Sequence, residues 1–363
     1  MKLRFSLAVI GCLVASSLSA DVSTDIKNTF AEGSVSGDIV LYGEQQNNSG
    51  ANKNAGFTMG SVGLGYQTGD FHGFKAAAGF RANHDFTEVE DGDYGTGNYP
   101  TALMHTANIS YANDYFSLTL GRQEVDLEWM GDFHEALVGV ITSIPDTTIV
   151  LGHSQRKATA DFDAVLESFE DLGEHGANVL DVKYEGVKGL VLNGYYYNVK
   201  DIADFYGAKV DYDTDMFGVT AHYANSSEKV TGTDDGSIIH TELRGNFSGV
   251  GLNLGYITTD KDGAIGSMET AGDNINPLED GNQVYATDAD TIYLGVGYEL
   301  DKLALNAMYG RTKYSSDKEN EINVAAEYGV TDEFVLGAIF VNVDAQNGDD
   351  DYNKFTFTAN YTF

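Results

Sequence analysis

Apolar and polar residues alternate with a period of two along most of this chain. The C-terminal segment Lys354–Phe363 does so without a break: Phe355, Phe357, Ala359, Tyr361 and Phe363 alternate with Lys354, Thr356, Thr358, Asn360 and Thr362. Successive side chains of a β-strand point to opposite faces, so such a segment has one apolar and one polar face. The same dyad recurs in Phe74–Arg81, Ile238–Arg244, Val250–Tyr256, Ile292–Tyr298, Leu303–Tyr309 and Ile322–Tyr328, with Thr241 the exception on an apolar face.

Counting all such runs predicts strands over 34–43, 55–66, 74–84, 102–111, 115–122, 136–144, 147–154, 177–184 and 190–198 in the first half. The second half adds 203–212, 216–224, 237–247, 250–259, 290–299, 303–313, 319–328, 333–343 and 353–363. The total is eighteen, an even number as bacterial single-chain barrels have. Sixteen is the fallback, because Val138-Gly139-Val140-Ile141 shows no clean parity.

Strands crossing lipid in a barrel need about 9–11 residues, apolar outwards and polar inwards. With the N-terminus in the periplasm, the inner connections 67–73, 112–114, 145–146, 185–189, 213–215, 248–249, 300–302 and 329–332 are all short. The outer ones include the long stretches 85–101, 123–135, 155–176 and 260–289, with 199–202 and 314–318 as brief exceptions. Tyr111, Phe116, Tyr184, Tyr212, Phe217, Phe247, Tyr298, Tyr328, Phe334 and Phe363 gather at the inner end, where an aromatic girdle belongs. The predicted fold is all-β: a transmembrane antiparallel β-barrel of about 18 strands with short periplasmic turns and long outer loops.

Composition removes competing classes. With 21 Lys and Arg against 55 Asp and Glu, the net charge of -34 repels phosphate backbones, so nucleic acid is excluded as a partner. A mean hydropathy of -0.24 excludes a bundle of apolar helices. Disordered acidic chains lack aromatics, whereas this one has 22 Tyr, 19 Phe and 1 Trp.

The N-terminus reads as an export signal, with basic Lys2 and Arg4, an apolar stretch Phe5–Val14 and a small-residue exit ending Ser19-Ala20. Cys12 loosely resembles a lipoprotein site, but the apolar core before it is too short. The expected organisation is a signal peptide over 1–20, a periplasmic segment over 21–33 and a barrel over 34–363. The expected location is the outer membrane of a Gram-negative bacterium. The mature chain has no cysteine and is held by core or membrane, not by disulfides.

Phe30-Ala31-Glu32-Gly33-Ser34-Val35-Ser36-Gly37-Asp38, Gly121-Arg122-Gln123 and the stretch 179–212 around Tyr195-Tyr196-Tyr197-Asn198-Val199-Lys200-Asp201 resemble the OprD-type outer-membrane porins, including the major porins of epsilonproteobacteria. The resemblance spans most of the mature chain and implies an eighteen-stranded barrel, often a homotrimer, that passes small polar solutes. Some members prefer amino acids or carboxylates and line the lumen with basic residues, a ladder that is not matched here position by position.

The resemblance also implies a third outer loop folded into the lumen. That loop, 123–135, carries Glu124, Asp126, Glu128, Asp132 and Glu135 with no Lys or Arg, and Trp129 with Leu127, Met130 and Phe133 as wall anchors. Carboxylates at a constriction favour cations over anions; the bland alternative is a solvated surface loop. Inward parity gives a basic wall of Lys75, Arg81, Lys183, Lys209, Arg244 and Lys354 beside Asp38, Asp181, Glu185, Asp211, Glu242 and Glu327. Most of these satisfy one another in the expected pairs Asp181–Lys183, Lys209–Asp211 and Glu242–Arg244, leaving Arg81 and Arg244 as the wall's functional candidates.

The acidic stretches 348–351 and 260–289 carry hard oxygen ligands for Ca²⁺ without EF-hand spacing; a solvated or lipopolysaccharide-associated loop is the alternative. Phe162, Val165, Leu166 and Phe169 have helical spacing and predict a loop helix over 161–171. No His-Glu-x-x-His or Gly-x-Ser-x-Gly motif is present, and His134 beside Asp132 and Glu135 is the nearest thing to acid–base chemistry. No enzyme and no organic cofactor is expected. The functional expectation is a passive, cation-preferring porin for small hydrophilic solutes. A carboxylate- or amino-acid-specific channel and a non-conducting adhesin or anchor are the alternatives.

Overall fold

The computed structural model describes residues 20–346, 348 and 350–363. All but the last residue of the export signal lies outside these residues, as does Asp349 of the acidic run. A helix, α1 (Ala20–Ala31), leads into the barrel from the segment expected only as a periplasmic stretch. The first nine strands are β1 (Ser34–Asn48), β2 (Ala55–Gln67), β3 (Phe74–Glu88), β4 (Ala102–Ala112), β5 (Phe116–Glu124), β6 (Phe133–Ile141), β7 (Thr147–Ala158), β8 (Ala177–Val187) and β9 (Leu190–Val199). The second nine are β10 (Ala203–Asp213), β11 (Phe217–Glu228), β12 (Gly236–Phe247), β13 (Val250–Thr259), β14 (Ala289–Leu300), β15 (Leu303–Tyr314), β16 (Asp317–Gly329), β17 (Phe334–Ala345) and β18 (Tyr352–Thr362).

Each strand pairs antiparallel with its sequence neighbours, and β1 closes on β18 in a register running from Asp38↔Thr362 to Asn48↔Tyr352. Closure leaves no free edge, so every strand finds its backbone partners inside the wall, as hydrocarbon demands. A two-residue pairing of Glu170–Asp171 with Lys157 and Arg156 belongs to a loop, not to the wall. The wall therefore has eighteen strands.

Several strands extend further outwards than their alternation indicated: β1 reaches Asn48 and β11 reaches Glu228. Gln45-Gln46-Asn47-Asn48 stands above the lipid, where both faces are polar and the dyad vanishes. The ambiguous β6 has the opposite cause. Leu137 is exposed on its outer face, while Val138 and Val140 sit on the inner face opposite Gly152 and Val150 of β7, so both faces are apolar.

The barrel is inside out relative to a soluble fold. Leu64, Ile109, Leu120, Leu243, Leu252, Leu294, Val324 and Phe357 are exposed on the outer face, as lipid contact requires. Phe116, Tyr184, Tyr212, Phe217, Phe247, Tyr298 and Tyr328 form the inner girdle. A second belt of Phe86, Tyr196, Tyr206, Tyr223, Tyr256, Tyr309, Phe340 and Phe355 lies nearer the outer rim. Inner turns are tight; Ser248 and Gly249 both take positive φ (55° and 86°), the conformation a two-residue hairpin needs.

Buried apolar side chains are gathered inside the barrel. Their main cluster joins Trp129 and Met130 to Ile265, Met268, Ala271, Ile275, Leu278 and Val284 from a second loop, against Tyr195, Tyr197, Phe205, Ile238, Ile257 and Tyr293 of the wall. Three outer loops thus matter for the lumen: 125–132, 159–176 and 260–288, here L3, L4 and L7.

Candidate functional site

L3 is shorter than the sequence indicated, because β6 begins at Phe133; Glu124 and Glu135 belong to strands. The loop is a hairpin, with Val125 N–H donating to Asp132 O (2.9 Å) and Leu127 N–H to Met130 O (2.8 Å). Its tip is the apolar pair Trp129-Met130, fully buried. Trp129 Nε1 donates to the Tyr195 hydroxyl at 2.9 Å, and the same hydroxyl lies 2.8 Å from His222 Nε2. Tyr195 in turn lies over Gly207 of β10, where a Cβ would collide with its ring. Tyr293 lies over Gly255 of β13 in the same way, so these inward glycines are cradles for rings. His134, the acid–base candidate, is buried with Nδ1 2.8 Å from Ser154 Oγ and Nε2 2.8 Å from Gly131 O, so it pins the hairpin.

L7 enters the lumen too, which corrects the reading of 260–289 as a solvated surface loop. Six apolar residues of L7 supply a burial drive that its many carboxylates concealed. The two loops are joined: Gly131 N–H donates to Ala271 O at 3.0 Å and Asn274 Nδ2 to Leu127 O at 2.9 Å. On the far side, Glu321 accepts the backbone N–H groups of Asp280 (3.1 Å) and Gly281 (2.8 Å), and Asp280 is held by Tyr352 (2.7 Å) and by an ion pair with Lys354. Two further L7 carboxylates are engaged locally: Asp260 caps its own turn at Asp262 and Gly263, and Asp273 accepts from Ile275 N–H and Tyr285. Among the described residues no group of three or more side chains is arranged to hold a metal ion.

L4 contains no helix, contrary to the spacing of its apolar residues. Leu166 and Phe169 instead pack with Leu103, Ala158 and Ala160, while Asn83 of β3 donates to Asp161 O (2.8 Å) and Ala164 O (2.7 Å). A loop tied by its backbone to the wall satisfies those carbonyls without helical bonds.

The expected acidic face of L3 is largely neutralised. Glu128 Oε1 accepts from Lys209 Nζ at 3.0 Å, Asp132 pairs with Lys157 at 3.0 Å, and Glu135 with Arg122 at 2.8 Å and Arg156 at 3.6 Å. Glu124 is exposed, and Asp126 is exposed with Asn274 Nδ2 at 3.4 Å. Burial pushes the Glu128 carboxyl up against the pull of Lys209. Asp161 of L4 touches water but is walled in by the barrel, and reduced solvation with Asp132 and Asp163 nearby pushes its carboxyl up to about 6. Burial likewise raises Asp163 and Glu279.

The basic wall is also paired. Arg81 makes a two-pronged bridge to Asp38 (2.7 and 2.8 Å), and Arg244 holds Glu242 at 3.0 Å and Asp213 at 3.0 Å, so neither candidate cation is free. Lys209 lies 4.0 Å from Asp211 as expected, but the expected Asp181–Lys183 pair is absent. Asp181 instead accepts from Tyr197 (2.7 Å) and Asn193 (2.6 Å), while Lys183 faces Glu185 at 3.4 Å. Lys75 is exposed with no ion pair among the described residues. Below L7 a cavity of 410 Å³ is lined by Arg244, Asn253, Pro277, Glu279, Asn306 and Asn323 among others.

A walled lumen crossed by loops that meet side chain to side chain is the anatomy of a channel with an internal constriction. The sequence matches the family model described as Gram-negative porin over residues 6–363. The chain belongs to this family. The porin's fold is shared with Acinetobacter baumannii OccAB4, at 14% identity and a TM-score of 0.75 over 93% of this chain and 99% of that one. It is shared with Pseudomonas aeruginosa OpdO, at 13% identity and 0.75 over 93% and 99%. It also matches a BenF-like porin from Pseudomonas fluorescens Pf-5, at 11% identity and 0.76 over 92% and 99%. No match was found among curated proteins. The porin is an outer-membrane channel.

Sequence reasoning missed Arg122, Arg156 and Lys157 in the porin's lumen. Parity fails locally, because Gly121 takes φ of 122° and β6 and β7 carry a bulge between Glu135 and Ala136. A usable signal was the excess of carboxylates in 123–135, which a buried loop requires to be matched by cations elsewhere.

Proposed function

We propose that this outer-membrane channel passes small hydrophilic solutes by passive diffusion and prefers cations, after export on the N-terminal signal and its removal. The observation that carries the reading is the charge balance of the lumen. Arg81, Arg122, Arg156, Lys157, Lys183, Lys209, Arg244 and Lys354 each have a carboxylate within 4.0 Å, which leaves Lys75 as the one unpaired cation of the basic wall, against Asp161, Asp163 and Glu279, which have no cation that close among the described residues. Neutralised cations and surplus carboxylates lower the energy of a passing cation and raise that of an anion. The joined L3 and L7 narrow the path, which sets an upper size on the solute.

A second reading, a channel for small carboxylates, is favoured by the gathering of Arg122, Arg156 and Lys157 beside L4, where Arg156 reaches Asp171 at only 3.3 Å and Glu135 at 3.6 Å. Swelling of proteoliposomes in lysine, in a neutral sugar and in succinate of similar size separates the two. Faster entry of lysine supports cation preference; saturable, faster entry of succinate supports the second reading; no swelling in any solute overturns both.

A further inference from the structure

Cations are scarce in this chain and most are paired, so where unpaired ones gather is informative. Arg311 and Lys313 of β15 and Lys318 of β16 form such a group. Arg311 lies on the outer face, since it is opposite Ile292, which is exposed to the lipid side, and alternates with the inward Thr312. Lys313 and Lys318 are exposed and directly opposite each other across the two strands. Their Cα atoms are therefore about 5 Å apart, and Arg311 is about 7 Å further down the same face. No carboxylate of the described residues is within 4.0 Å of any of the three, and Arg311 Nε is buried without a hydrogen-bond partner.

Like charges placed directly opposite destabilise a strand pair. Nearby carboxylates do not relieve it. Asp290, across from Lys313, takes the Tyr256 hydroxyl at 2.5 Å, and Asp344 takes Asn320 Nδ2 at 3.2 Å. Asn320 also accepts from Tyr309 at 3.0 Å, which fixes the polar face between the cations and the outer aromatic belt. The patch thus begins two residues above Tyr309 and reaches four above it, at the height of outer-leaflet headgroups, with Leu294, Leu305 and Val324 exposed below it.

We propose that Arg311, Lys313 and Lys318 are a binding site for the phosphates of an outer-leaflet glycolipid whose acyl chains lie along the apolar faces of β14, β15 and β16. A chain of net charge -34 repels an anionic leaflet, and an uncompensated cationic cluster at headgroup height supplies local attraction. A cation at such a surface contributes about 1 kcal/mol, so removing all three weakens binding about a hundredfold.

The test measures binding of bisphosphorylated lipid A, of the same lipid stripped of phosphate, and of inorganic phosphate to the full refolded barrel in detergent. The triple variant R311Q/K313Q/K318Q is compared with K53Q/K200Q/K261Q, which has the same charge change on outer loops. The site predicts loss of about a hundredfold for phosphorylated lipid in the first variant only, with dephosphorylated lipid bound weakly by both. Retained affinity in the first variant, equal affinity for dephosphorylated lipid, or tight binding of inorganic phosphate alone overturns it. K318Q gives a second readout that does not depend on the triple variant folding. It relieves the facing lysines, so thermal unfolding without lipid occurs at or above the wild-type temperature, while the gain from phosphorylated lipid shrinks; an undiminished gain overturns the proposal.

Discussion

Replacing Trp129 by alanine tests how L3 is held in the lumen. The indole is fully buried and donates to Tyr195 at 2.9 Å. A buried side chain of this size removes about 200 Å² from water, roughly 5 kcal/mol at 25 cal/mol per Å²; Trp-to-alanine changes typically cost about 3–5 kcal/mol. That shifts the docked–undocked equilibrium of the loop by about 10² to 4 × 10³. An undocked state of about 0.1% then rises to between about a tenth and four-fifths of the population. Tyr195→Phe keeps the ring but leaves Trp129 Nε1 and His222 Nε2 without their shared hydroxyl, about 2 kcal/mol, so its undocked fraction is a few per cent. Single-channel recording reads this as higher-conductance episodes, absent in wild type, brief in Y195F and dominant in W129A. The wall does not depend on the loop, so heat-resistant migration on gels stays as in wild type. A folded W129A barrel with the wild-type current level and noise would refute the docking argument.

Acid titration of the lumen gives a further prediction. Asp161 is raised to about 6, so lowering the pH through that value removes negative charge and cation preference falls; D161N shows the low-pH selectivity at neutral pH, and a flat profile from pH 5 to 7.5 contradicts it. The stability sign is opposite to that of an ordinary salt-bridged carboxylate: folding favours the protonated form, a contribution full below the unfolded value near 3.9 and lost as pH rises through about 6. Asp38→Asn strands Arg81, whose side chain is only 13% exposed; allowing for lumen water, it lowers unfolding stability by about 2 kcal/mol and moves selectivity towards anions. Denaturant midpoint and reversal potential check the two parts. Asp280→Asn removes the ion pair to Lys354 that pins L7, so current noise increases without a change in the strand signal by circular dichroism.

The wall was legible because lipid outside and water inside impose a period of two that short-range sequence carries directly. It failed where the two-sided rule fails, at Gln45–Asn48, polar on both faces, and at Val138–Ile141, apolar on both, and where Gly121 and the Glu135/Ala136 bulge shift the parity. The lumen was much less legible. Charge alone made 260–288 look solvated, although Ile265, Met268, Ile275 and Leu278 commit it to the interior. Helical spacing in 161–171 was overridden by hydrogen bonds from Asn83, which lies far away in sequence. Ion pairing was legible in part. Same-strand parity finds Glu242–Arg244 and the looser Lys209–Asp211 and misses at Asp181–Lys183, but it cannot show that Lys209 is held chiefly by Glu128 from L3 or Lys354 by Asp280 from L7, contacts that only the inward folding of loops creates.

The central claim is an open, net-negative lumen, and reversal potential across a planar bilayer under a salt gradient tests it most directly. The account predicts stable channels with a cation-selective potential that falls in D161N/D163N/E279Q and changes less in a variant neutralising Glu128 and Lys209 together, because that pair already cancels. Anion-selective wild-type channels, or a triple variant with undiminished cation preference, would contradict it.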